Sequence, residues 1–368
     1  LFIVSGCLPQ RYGEILEKEL PEVDLFVGTG AFQKLPRLLN HQPKRRSFLS
    51  GSTFLYGSKT PRILSTLPSF AYIKIAEGCS KTCTFCTVRK IRGPYRSRRL
   101  RSVIEESKRL ADQGVKELIL IAQDTTAYGE DLGDGTNLER LLKGLAKIEG
   151  LCWIRILYSY PKTNYFTEGL LELISQEEKI CPYLDLPLQH IDDEILRRMG
   201  RSSRSHEIRS LLQKIRALIP AVSLRSSLIV GFPGETEKQF KTLLDLVEEI
   251  QFDHLGAFKY SSEEGTPACR LRGQIPEDVK EERLRSLMEI QKGISLRKNR
   301  QMVGKRVKVL VEGADRQRGT LRGRLQTQAP EIDGLVFLKG KAQPGDWVEA
   351  LITQALPYDL VGQIEKIL

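Results

Sequence analysis

The sequence reads Gly78-Cys79-Ser80-Lys81-Thr82-Cys83-Thr84-Phe85-Cys86 directly after an apolar segment of strand length, Ala71–Ala76. The three cysteines have the spacing C-x₃-C-x₂-C. In parallel β/α barrels the loops that follow the strands carry the chemistry. Three thiolates on one tight loop can hold three irons of a cubane cluster, and no fourth cysteine follows closely, as it does in bacterial ferredoxins. The spacing therefore predicts a [4Fe–4S] cluster with one iron left open for an outside ligand.

Two other interpretations of this loop are a structural zinc site and three unrelated thiols. Structural zinc prefers four protein ligands, often from two C-x₂-C pairs. Neither a histidine nor a second cysteine pair lies near this loop in the sequence. The loop instead resembles that of the radical S-adenosylmethionine (SAM) superfamily, in which SAM chelates the open iron. The resemblance implies that Cys79, Cys83 and Cys86 hold the cluster that cleaves SAM.

Apolar segments of strand length alternate with amphipathic helical segments from Ala71 onward. Five more strand candidates follow the first: Glu117–Ala122, Trp153–Leu157, Tyr183–Leu186, Val222–Val230 and His254–Tyr260. Buried strands that alternate with helices predict βα units and a parallel sheet. Six such units predict an α/β fold, a partial (β/α)₆ barrel. We expect Pro276–Arg300 to be a long charged helix that leads out of this barrel.

The sequence changes in character on both sides of the barrel. From Val303, short alternating runs separated by Gly, Pro and Asp predict a small antiparallel β-barrel of a type often used on nucleic acid. At the other end, we expect a strand at Leu1–Ser5, a helix at Tyr12–Leu20 and a second strand at Asp24–Val27. A basic, turn-rich segment follows at Pro36–Gly57. We therefore expect three domains. Residues 1–62 are the remnant of an N-terminal α/β domain with its linker, residues 63–300 the barrel core and residues 302–368 the terminal β-barrel.

The charge of the chain is strongly positive, with a formal net charge of +11 over 368 residues. This balance favours an acidic partner such as RNA or a ribonucleoprotein, and the alternative is a basic surface without a specific partner. The run Arg89–Arg99 follows the cysteine loop and is dense in cations. It suits an anionic partner or the SAM carboxylate, and the alternative is a solvated basic loop.

The seven cysteines are odd in number and clustered, unlike those of a secreted disulfide scaffold. The chain opens on Leu1 within an apolar run and lacks the basic start of a secretory signal. No apolar run approaches the roughly 18 residues that a membrane span needs. We therefore expect a cytoplasmic protein, cut at the N-terminal side of a longer chain.

Polar residues and glycines follow the later strand candidates, as a barrel with one functional rim requires. Gln123 and Asp124 follow the second strand, Gln189 and His190 follow the fourth, and Gly231 follows the fifth. His190 could handle a proton, but a lone histidine at a strand end is more often structural. No catalytic side chain is assigned beyond the cluster ligands.

The radical SAM resemblance implies a SAM pocket among these residues. We expect Gln123 and Asp124 to orient the SAM amino group and Phe85 to pack near the adenine. The backbone of Ile229–Gly231 is expected to border the adenine. Gln189 is a further candidate for the pocket, and the alternative is a satisfied interior amide.

Three stretches narrow the resemblance to the methylthiotransferases, which insert a sulfur and a methyl group at a C–H bond. Ser5–Tyr12 is similar to the end of that family's N-terminal domain, Tyr72–Arg98 to its radical loop, and Val303–Leu368 to its TRAM domain, a small β-barrel. One branch of the family modifies a tRNA adenosine, and the other an aspartate of protein twelve of the small ribosomal subunit. The runs Asp185–His190 and Ala329–Gly334 resemble the ribosomal branch.

Membership of this family would imply further cofactors and partners. A second [4Fe–4S] cluster is held by three cysteines of the N-terminal domain. Cys7 matches the third of these, so that the other two would precede Leu1, and Cys152, Cys181 and Cys269 match none. The resemblance also implies a 5′-deoxyadenosyl radical that attacks the aspartate β-carbon of the ribosomal protein. Flavodoxin or ferredoxin would donate electrons, and the terminal barrel would contact RNA.

The sequence alone leaves two competing functions open. The first is a tRNA adenosine methylthiotransferase with the same chemistry. The second is a non-catalytic, metal-containing RNA-binding protein, which predicts that SAM does not bind.

Overall fold

Three short parallel strands begin the protein, whose computed structural model describes residues 1–41, 45–51, 54–315 and 317–368. The elements of this part are β1 (Ile3–Gly6), α1 (Cys7–Glu19), β2 (Leu25–Gly28), α2 (Leu35–His41) and β3 (Ser47–Phe48). The sequence predicted the first three with shifted bounds, but it predicted no element in the segment that holds α2 and β3. Elements of seven and two residues are too short to produce a hydrophobic period. Residues 42–44, 52 and 53 of the predicted turn-rich segment lie outside the described residues.

Six strands, each parallel to its neighbours, form the central sheet. The strands of this region are β4 (Phe70–Lys74), β5 (Ala76–Glu77), β6 (Arg96–Ser97), β7 (Glu117–Ile121), β8 (Trp153–Ile156), β9 (Ile180–Asp185), β10 (Ser223–Val230) and β11 (His254–Lys259). The sheet order is β11-β10-β9-β8-β7-β4, and β5 and β6 pair separately as a small antiparallel ribbon. The sheet is open, with β11 and β4 at its edges, so the predicted partial (β/α)₆ barrel is confirmed.

Helices connect the strands, and α9 shows how local sequence defines them. The helices are α3 (Val88–Arg92), α4 (Leu100–Asp112), α5 (Leu138–Ala146), α6 (Glu168–Gln176), α7 (Asp193–Arg198), α8 (Ser205–Leu218), α9 (Glu237–Ile250) and α10 (Glu277–Arg300). Thr236 and Gln239 form a capping box at the start of α9, which stabilises a helix by about 1 kcal/mol. Its buried residues Phe240, Leu243, Val247 and Ile250 recur at helical spacing and face the sheet.

The strand residues of the barrel divide between two apolar clusters. On β4, Ala71 and Ile73 pack in the large cluster formed with the helices, whereas Phe70 and Tyr72 belong to a second cluster inside the barrel. Successive side chains of a strand point to opposite faces, so the second face lines the lumen. This alternation places polar residues of the strands inside the barrel.

The terminal part forms the predicted small β-barrel. Its strands are β12 (Arg306–Asp315), β13 (Thr320–Arg324), β14 (Val336–Lys339), β15 (Trp347–Ala355) and β16 (Leu360–Ile367), closed in the order β12-β13-β14-β16-β15. The expectation of a wholly antiparallel barrel is wrong for one pair, because β14 and β16 run parallel. The chain passes through β15 between them and so returns in the same direction.

The terminal barrel closes the amino end of the central barrel. Leu310, Ala329 and Trp347 join the lumen cluster, and the rings of Trp153 and Trp347 meet edge-to-face with centroids 4.5 Å apart. The segment between β13 and β14, residues 325–335, enters this region, and we call it the floor loop. The long helix α10 leads from the central barrel to the terminal barrel, as predicted. Among the described residues no helix is long and apolar enough to cross a membrane.

Candidate active site

A β-ribbon presents the cysteine loop beyond the carboxyl end of β4. β5 pairs with β6, and residues 78–87 form the loop that leads from β5 to α3. Gly78 opens the loop with a φ of 85°, and a Cβ there would overlap the carbonyl oxygen of Pro94. Only glycine fits a position that is both left-handed and crowded. The chain therefore turns sharply just before Cys79.

Hydrogen bonds from other strand ends hold the loop. The backbone N–H of Gly78 donates to Oε1 of Gln123, after β7, at 2.7 Å. Thr84 donates its N–H to the carbonyl oxygen of Met199 at 2.9 Å, and its own carbonyl accepts from the N–H of Ala268 at 3.0 Å. Met199 and Ala268 belong to the segments that follow β9 and β11. The loop is thus fixed on the rim where the barrel strands end.

The three thiols of the loop are free, with Cys79 and Cys83 partly buried and Cys86 exposed. Burial raises the pKa values of Cys79 and Cys86, and repulsion from neighbouring thiolates adds to the rise. The N–H of Val88 donates to Sγ of Cys86 at 3.4 Å, and the guanidinium of Arg201 lies 4.0 Å from Sγ of Cys83. As anions, three neighbouring thiolates repel one another. Bound cations would relieve this repulsion and stabilise them.

The donor chemistry of the loop fits an iron–sulfur cluster. A cubane gives each of three thiolates its own iron, which suits three cysteines spread over one loop. Within the described residues, no three His, Cys, Asp or Glu side chains are grouped for a single metal ion. The fit therefore rests on the three free thiols and on the rim position of the loop.

Gln123 and Asp124 lie against the loop, and the protein already engages both side chains. Asp124 is buried, and its Oδ1 accepts from the N–H and the hydroxyl of Thr126 at 3.1 and 2.6 Å. Its Oδ2 lies 3.4 Å from Nζ of Lys81, which also donates to the hydroxyl of Tyr165 at 2.7 Å. Lys81 and Tyr165 are polar groups of this rim that the sequence did not single out.

Phe85 and Ile229 are brought together at one apolar cluster. The rings of Phe85 and Phe232 meet edge-to-face with centroids 6.5 Å apart. Phe85 and Ile229 both pack on the cluster built from Ile195, Met199, Phe232, Tyr260 and Ala268. This wall beside the cysteine loop suits a flat aromatic group such as adenine.

A buried carboxylate shapes the turn at Gly231. Oε2 of Glu235 accepts the N–H groups of Gly231 and Phe232 at 2.6 and 3.1 Å, and Arg283 lies 3.2 Å from its Oε1. Burial raises the pKa of Glu235 to about 6, against the opposing charge of Arg283. Gly231 has a φ of 70°, and a Cβ there would overlap the side chain of Lys280. The predicted site residues did not include Glu235, although an acceptor directly after a Gly-rich turn is the signal for this role.

Gln189 and His190 differ in their relation to the site. Gln189 has a φ of 70°, its N–H donates to Ser227, and its carbonyl accepts from the N–H of Ile229 at 2.8 Å. Gln189 therefore borders Ile229 through its backbone. His190 is fully buried, its Nδ1 accepts the N–H of Asp192 at 3.0 Å, and burial lowers its pKa to about 4. A neutral, buried imidazole favours the structural interpretation of His190.

Cys7 lies at the first turn of α1, on the side of the barrel that carries the cysteine loop. Its thiol is exposed, and Nη2 of Arg92 in α3 donates to its Sγ at 3.2 Å. Arg92 also lies 3.3 Å from the buried carboxylate of Glu77. Arg11 pairs with Glu263 beyond β11 at 2.7 Å. The N-terminal part is thus attached to the same rim.

The remaining cysteines lie in ordinary packing environments. Cys181 is buried in the lumen cluster, and burial raises its pKa to about 12. Cys269 donates to the carbonyl oxygen of Thr266 at 3.0 Å, and Cys152 is partly buried. All three are free thiols as well, but they lie outside the cysteine loop.

The basic run after the loop divides into exposed and buried cations. Arg89, Lys90 and Arg99 are exposed. Arg98 is buried, and its guanidinium lies 2.7 Å from the carboxylate of Glu106. Arg92 and Arg96 are partly exposed, so the buried Arg98 is the cation of this run that is withdrawn from an anionic partner.

Comparison with known proteins identifies two domains and several close relatives. The Radical SAM superfamily profile matches residues 73–247, and the TRAM domain profile matches residues 303–364. The ribosomal protein uS12 methylthiotransferase RimO of Pelobacter propionicus is 48% identical over 99% of this chain and 82% of its own length. The protein of the same name from Clostridioides difficile is 45% identical, with the same coverage of 99% and 82%.

Solved structures confirm the architecture at much lower identity. The radical S-adenosylmethionine methyltransferase TsrM from Kitasatospora setae is 14% identical, covers 85% of this chain and 61% of its own chain, and gives a TM-score of 0.54. The cobalamin-dependent S-adenosylmethionine radical enzyme OxsB is 14% identical over 79% of this chain and 43% of its own, with a TM-score of 0.50. At this level of identity the likeness concerns the fold alone.

Proposed function

This chain belongs to the ribosomal protein uS12 methylthiotransferases of the radical SAM superfamily, and from this premise we propose how its own residues serve the reaction. It is a SAM-dependent transferase that places a methylthio group on ribosomal protein uS12. The observation that carries the proposal is the position of the cysteine loop. Its thiols share one rim of the barrel with the apolar wall of Phe85 and Ile229.

An iron–sulfur cluster and SAM are the cofactors of the reaction, and Cys79, Cys83 and Cys86 would hold the cluster. When bound, the cluster supplies the electron that cleaves SAM to the 5′-deoxyadenosyl radical that removes a hydrogen atom from the substrate. Phe85 and the backbone of Ile229–Gly231 would cover the adenine and exclude water from it. Glu235 would keep the Gly231 turn in place.

Gln123, Asp124 and Gln189 are proposed to complete the SAM pocket. Gln123 holds the start of the cysteine loop through Gly78, so it would position both the loop and the SAM amino group. The Asp124 carboxylate would act through Lys81, its ion-pair partner. Gln189 would border the pocket beside Ile229.

A second [4Fe–4S] cluster is proposed to use the Cys7 thiolate. The support from the structure is the exposure of this thiol and its place beside Arg92, whose Nη2 donates to Sγ on the rim that carries the cysteine loop. The position on the cysteine-loop rim would bring a sulfur source near the carbon that reacts. Flavodoxin or ferredoxin is the proposed electron donor.

The proposed target atom is the β-carbon of an aspartate in uS12. Exposed cations of the terminal barrel, on β12 and β13, would contact RNA near this substrate, and they include Arg306, Lys308 and Arg322. We assign an N-terminal α/β part with its linker to residues 1–62, the radical SAM core to residues 63–300 and the TRAM-like barrel to residues 302–368. The proposed location is the cytoplasm, where ribosomal proteins are assembled.

Anaerobic reconstitution followed by electron paramagnetic resonance tests the cofactor assignment. We expect about four irons per SAM-binding cluster. The paramagnetic resonance signal of the reduced protein should change when SAM is added. Zinc without iron, or a cluster indifferent to SAM, would support the non-catalytic RNA-binding alternative.

Substrate identity is tested by offering uS12 and unmodified tRNA to the same reconstituted enzyme. Mass spectrometry should find the methylthio group on an aspartate-containing peptide of uS12 and none on adenosine. The reverse result would establish the tRNA branch.

A further inference from the structure

The floor loop is anchored to the amino half of the barrel lumen by several strands. Nη1 of Arg155 on β8 donates to the carbonyl oxygen of Gln326 at 2.8 Å. The carbonyl oxygen of Thr327 lies 2.8 Å from Nε2 of His254 on β11 and accepts from the hydroxyl of Ser223 on β10 at 3.2 Å. The terminal barrel therefore supplies the bottom of the lumen whose top carries the cysteine loop.

Two acids of the floor loop have opposite surroundings. The carboxylate of Asp333 has partners for both oxygens. Its Oδ2 accepts from the hydroxyl of Tyr183 at 2.7 Å, and its Oδ1 lies 3.5 Å from the positively charged Arg225, at Nε. Glu331 is exposed, and its Oε2 accepts a hydrogen bond from the neutral hydroxyl of Tyr72 at 3.3 Å. Over the described ranges of the chain, no cationic side chain forms an ion pair with Glu331.

The backbone at this place is strained as well. Glu331 has a φ of 68°, and Tyr158 at the carboxyl end of β8 has a φ of 61°. The left-handed region is unfavourable for both residue types, and such conformations cluster at functional sites. Tyr158 is 43% exposed, and its N–H donates to Asp185, whose other carboxylate oxygen binds Arg225. Burial raises the pKa of Tyr72 and the charges of Glu331 and Tyr158 both raise it further, so the two strained residues lie near the same phenol.

The charge of Glu331 is uncompensated in an otherwise basic molecule of net charge +11. Burial raises the pKa of Tyr72, and the neighbouring Glu331 carboxylate raises it further, so the phenol stays neutral and leaves that charge in place. An exposed carboxylate without an ion-pair partner attracts a cation, and the attraction grows when a bound substrate displaces the water that screens it. It would repel the phosphates of a nucleic acid for the same reason.

We propose that Glu331 is a specificity-determining residue that binds a lysine or arginine side chain of the protein substrate, close to the residue that is modified. The inference rests on the proposed function and deepens it, because it states how the catalytic cavity distinguishes a protein from an RNA. The terminal barrel thereby contributes directly to the substrate cavity from its floor loop.

The test compares two variants that separate charge from structure. Glu331→Gln removes the charge but keeps an acceptor for the Tyr72 hydroxyl, whereas Tyr72→Phe removes the hydrogen bond but keeps the charge. Fluorescence anisotropy with labelled uS12 should show binding weakened about tenfold by Glu331→Gln and by less than about twofold by Tyr72→Phe. Glu248→Gln, which removes an exposed acid of α9, is the matched control and should leave the affinity unchanged.

Charge reversal identifies the partner of Glu331. Each lysine and arginine of the modified uS12 loop is changed in turn to glutamate, and binding is measured with the wild-type enzyme and with Glu331→Lys. One reversal that weakens wild-type binding and is rescued by Glu331→Lys would establish the contact. Equal affinities of Glu331→Gln and the wild type, or equal losses in Glu331→Gln and Tyr72→Phe, would overturn it.

Activity assays separate failure of this inference from failure of the proposed function. A wild-type enzyme that modifies uS12, with an unchanged KM in Glu331→Gln, contradicts the role of Glu331 alone. A wild-type enzyme that does not modify uS12 contradicts the function itself.

Discussion

Nη2 of Arg324 donates to Oε2 of Glu117 at 2.6 Å, and both side chains are fully buried although they lie 207 residues apart in the chain. Glu117 begins β7 of the central barrel, and Arg324 ends β13 of the terminal barrel. Oε1 of Glu117 also accepts from Arg155 at 2.7 Å, and Arg324 pairs with Glu312 at 2.6 Å. This network of two acids and two guanidinium groups joins the two barrels.

Removing the charge of Glu117 should destabilise the protein strongly. Glu117→Gln leaves two buried guanidinium groups with one carboxylate, and breaking a buried ion pair in this way costs about 3–5 kcal/mol. Chemical denaturation measures the effect. Glu365→Gln breaks an exposed pair and should cost at most about 1 kcal/mol. Similar losses in the two variants would contradict the structural importance of the buried network.

The contribution of Glu117 should depend on pH with a defined sign. Burial raises the pKa of Glu117, but Arg324 and Arg155 lower it more, so it lies below the ordinary value of 4.5. A carboxylate with a lowered pKa stabilises the fold above its unfolded pKa and loses that contribution as pH falls through the folded pKa. The stability difference between wild type and Glu117→Gln should therefore be full at neutral pH and shrink below about pH 4.5. A difference that stays constant into this acidic range would argue against the coupling.

Single replacements of the loop cysteines should abolish the SAM-responsive cluster. Cys79→Ala, Cys83→Ala and Cys86→Ala each remove one of three iron ligands, whereas Cys152→Ala removes a partly buried thiol outside the loop. After anaerobic reconstitution, iron analysis and electron paramagnetic resonance should show the loss in the first three variants and not in the fourth. Retention of a SAM-perturbed signal in any loop variant would remove that cysteine from the ligand set.

Truncation of Phe85 should weaken SAM binding. Phe85→Ala removes the aromatic ring that packs on the wall with Ile229, and loss of stacking on a base costs about tenfold in affinity. Equilibrium titration of SAM with the reconstituted enzyme measures this, and adenine-free SAM fragments should show no difference between variants. Tyr358→Ala, an exposed aromatic residue of the terminal barrel, serves as the control. Unchanged SAM affinity in Phe85→Ala would end the assignment of Phe85 to the adenine.

The buried imidazole of His190 should make the protein sensitive to mild acid. Its folded pKa is about 4 against an ordinary value of 6.5, because burial opposes the charged form. Such a group stabilises the fold above pH 6.5 and loses that contribution as pH falls toward 4. Relative to His190→Gln, the wild type should lose about 3 kcal/mol of unfolding free energy between pH 7 and pH 4.

His206→Gln is the matched control for His190, because His206 is exposed on α8. Its unfolding free energy should follow the wild type across the same range. A His190→Gln variant with the wild-type pH dependence would show that His190 is not the titrating group.

Much of the central barrel could be predicted because its signals are local. Continuous apolar runs such as that of β7 and the periodic face of α9 depend only on neighbouring residues. β9 was predicted to start at Tyr183 but starts at Ile180. Pro182 lies within it, and a proline normally argues against an interior strand. The pairing of β8 with β9 is irregular at this point, which accommodates the missing N–H.

The candidate site could be predicted where chemistry and spacing coincide. The cysteine spacing located the loop, and the structure places the predicted residues after β7 and β10 on the same rim, where their role in SAM binding stays a prediction. Glu235 and Lys81 were missed, because their roles depend on which backbone or side-chain groups come within hydrogen-bond distance in the folded barrel. For Lys81 the sequence carries no signal of such a pairing, whereas the place of Glu235 directly after a Gly-rich turn was a signal that the prediction did not use.

The sequence by itself therefore indicated the radical SAM superfamily, through the three-cysteine loop and the resemblance that it carries, and it determined the alternation of strands and helices that builds the barrel. Only the tertiary structure decided that the floor loop of the terminal barrel closes the lumen and that Glu331 meets Tyr72 across 259 residues of chain. The physical reason is that secondary structure follows from periodic burial within short segments. The docking of one barrel on another is instead decided by complementary surfaces and buried charges such as Glu117 and Arg324, which become neighbours only when both barrels have formed.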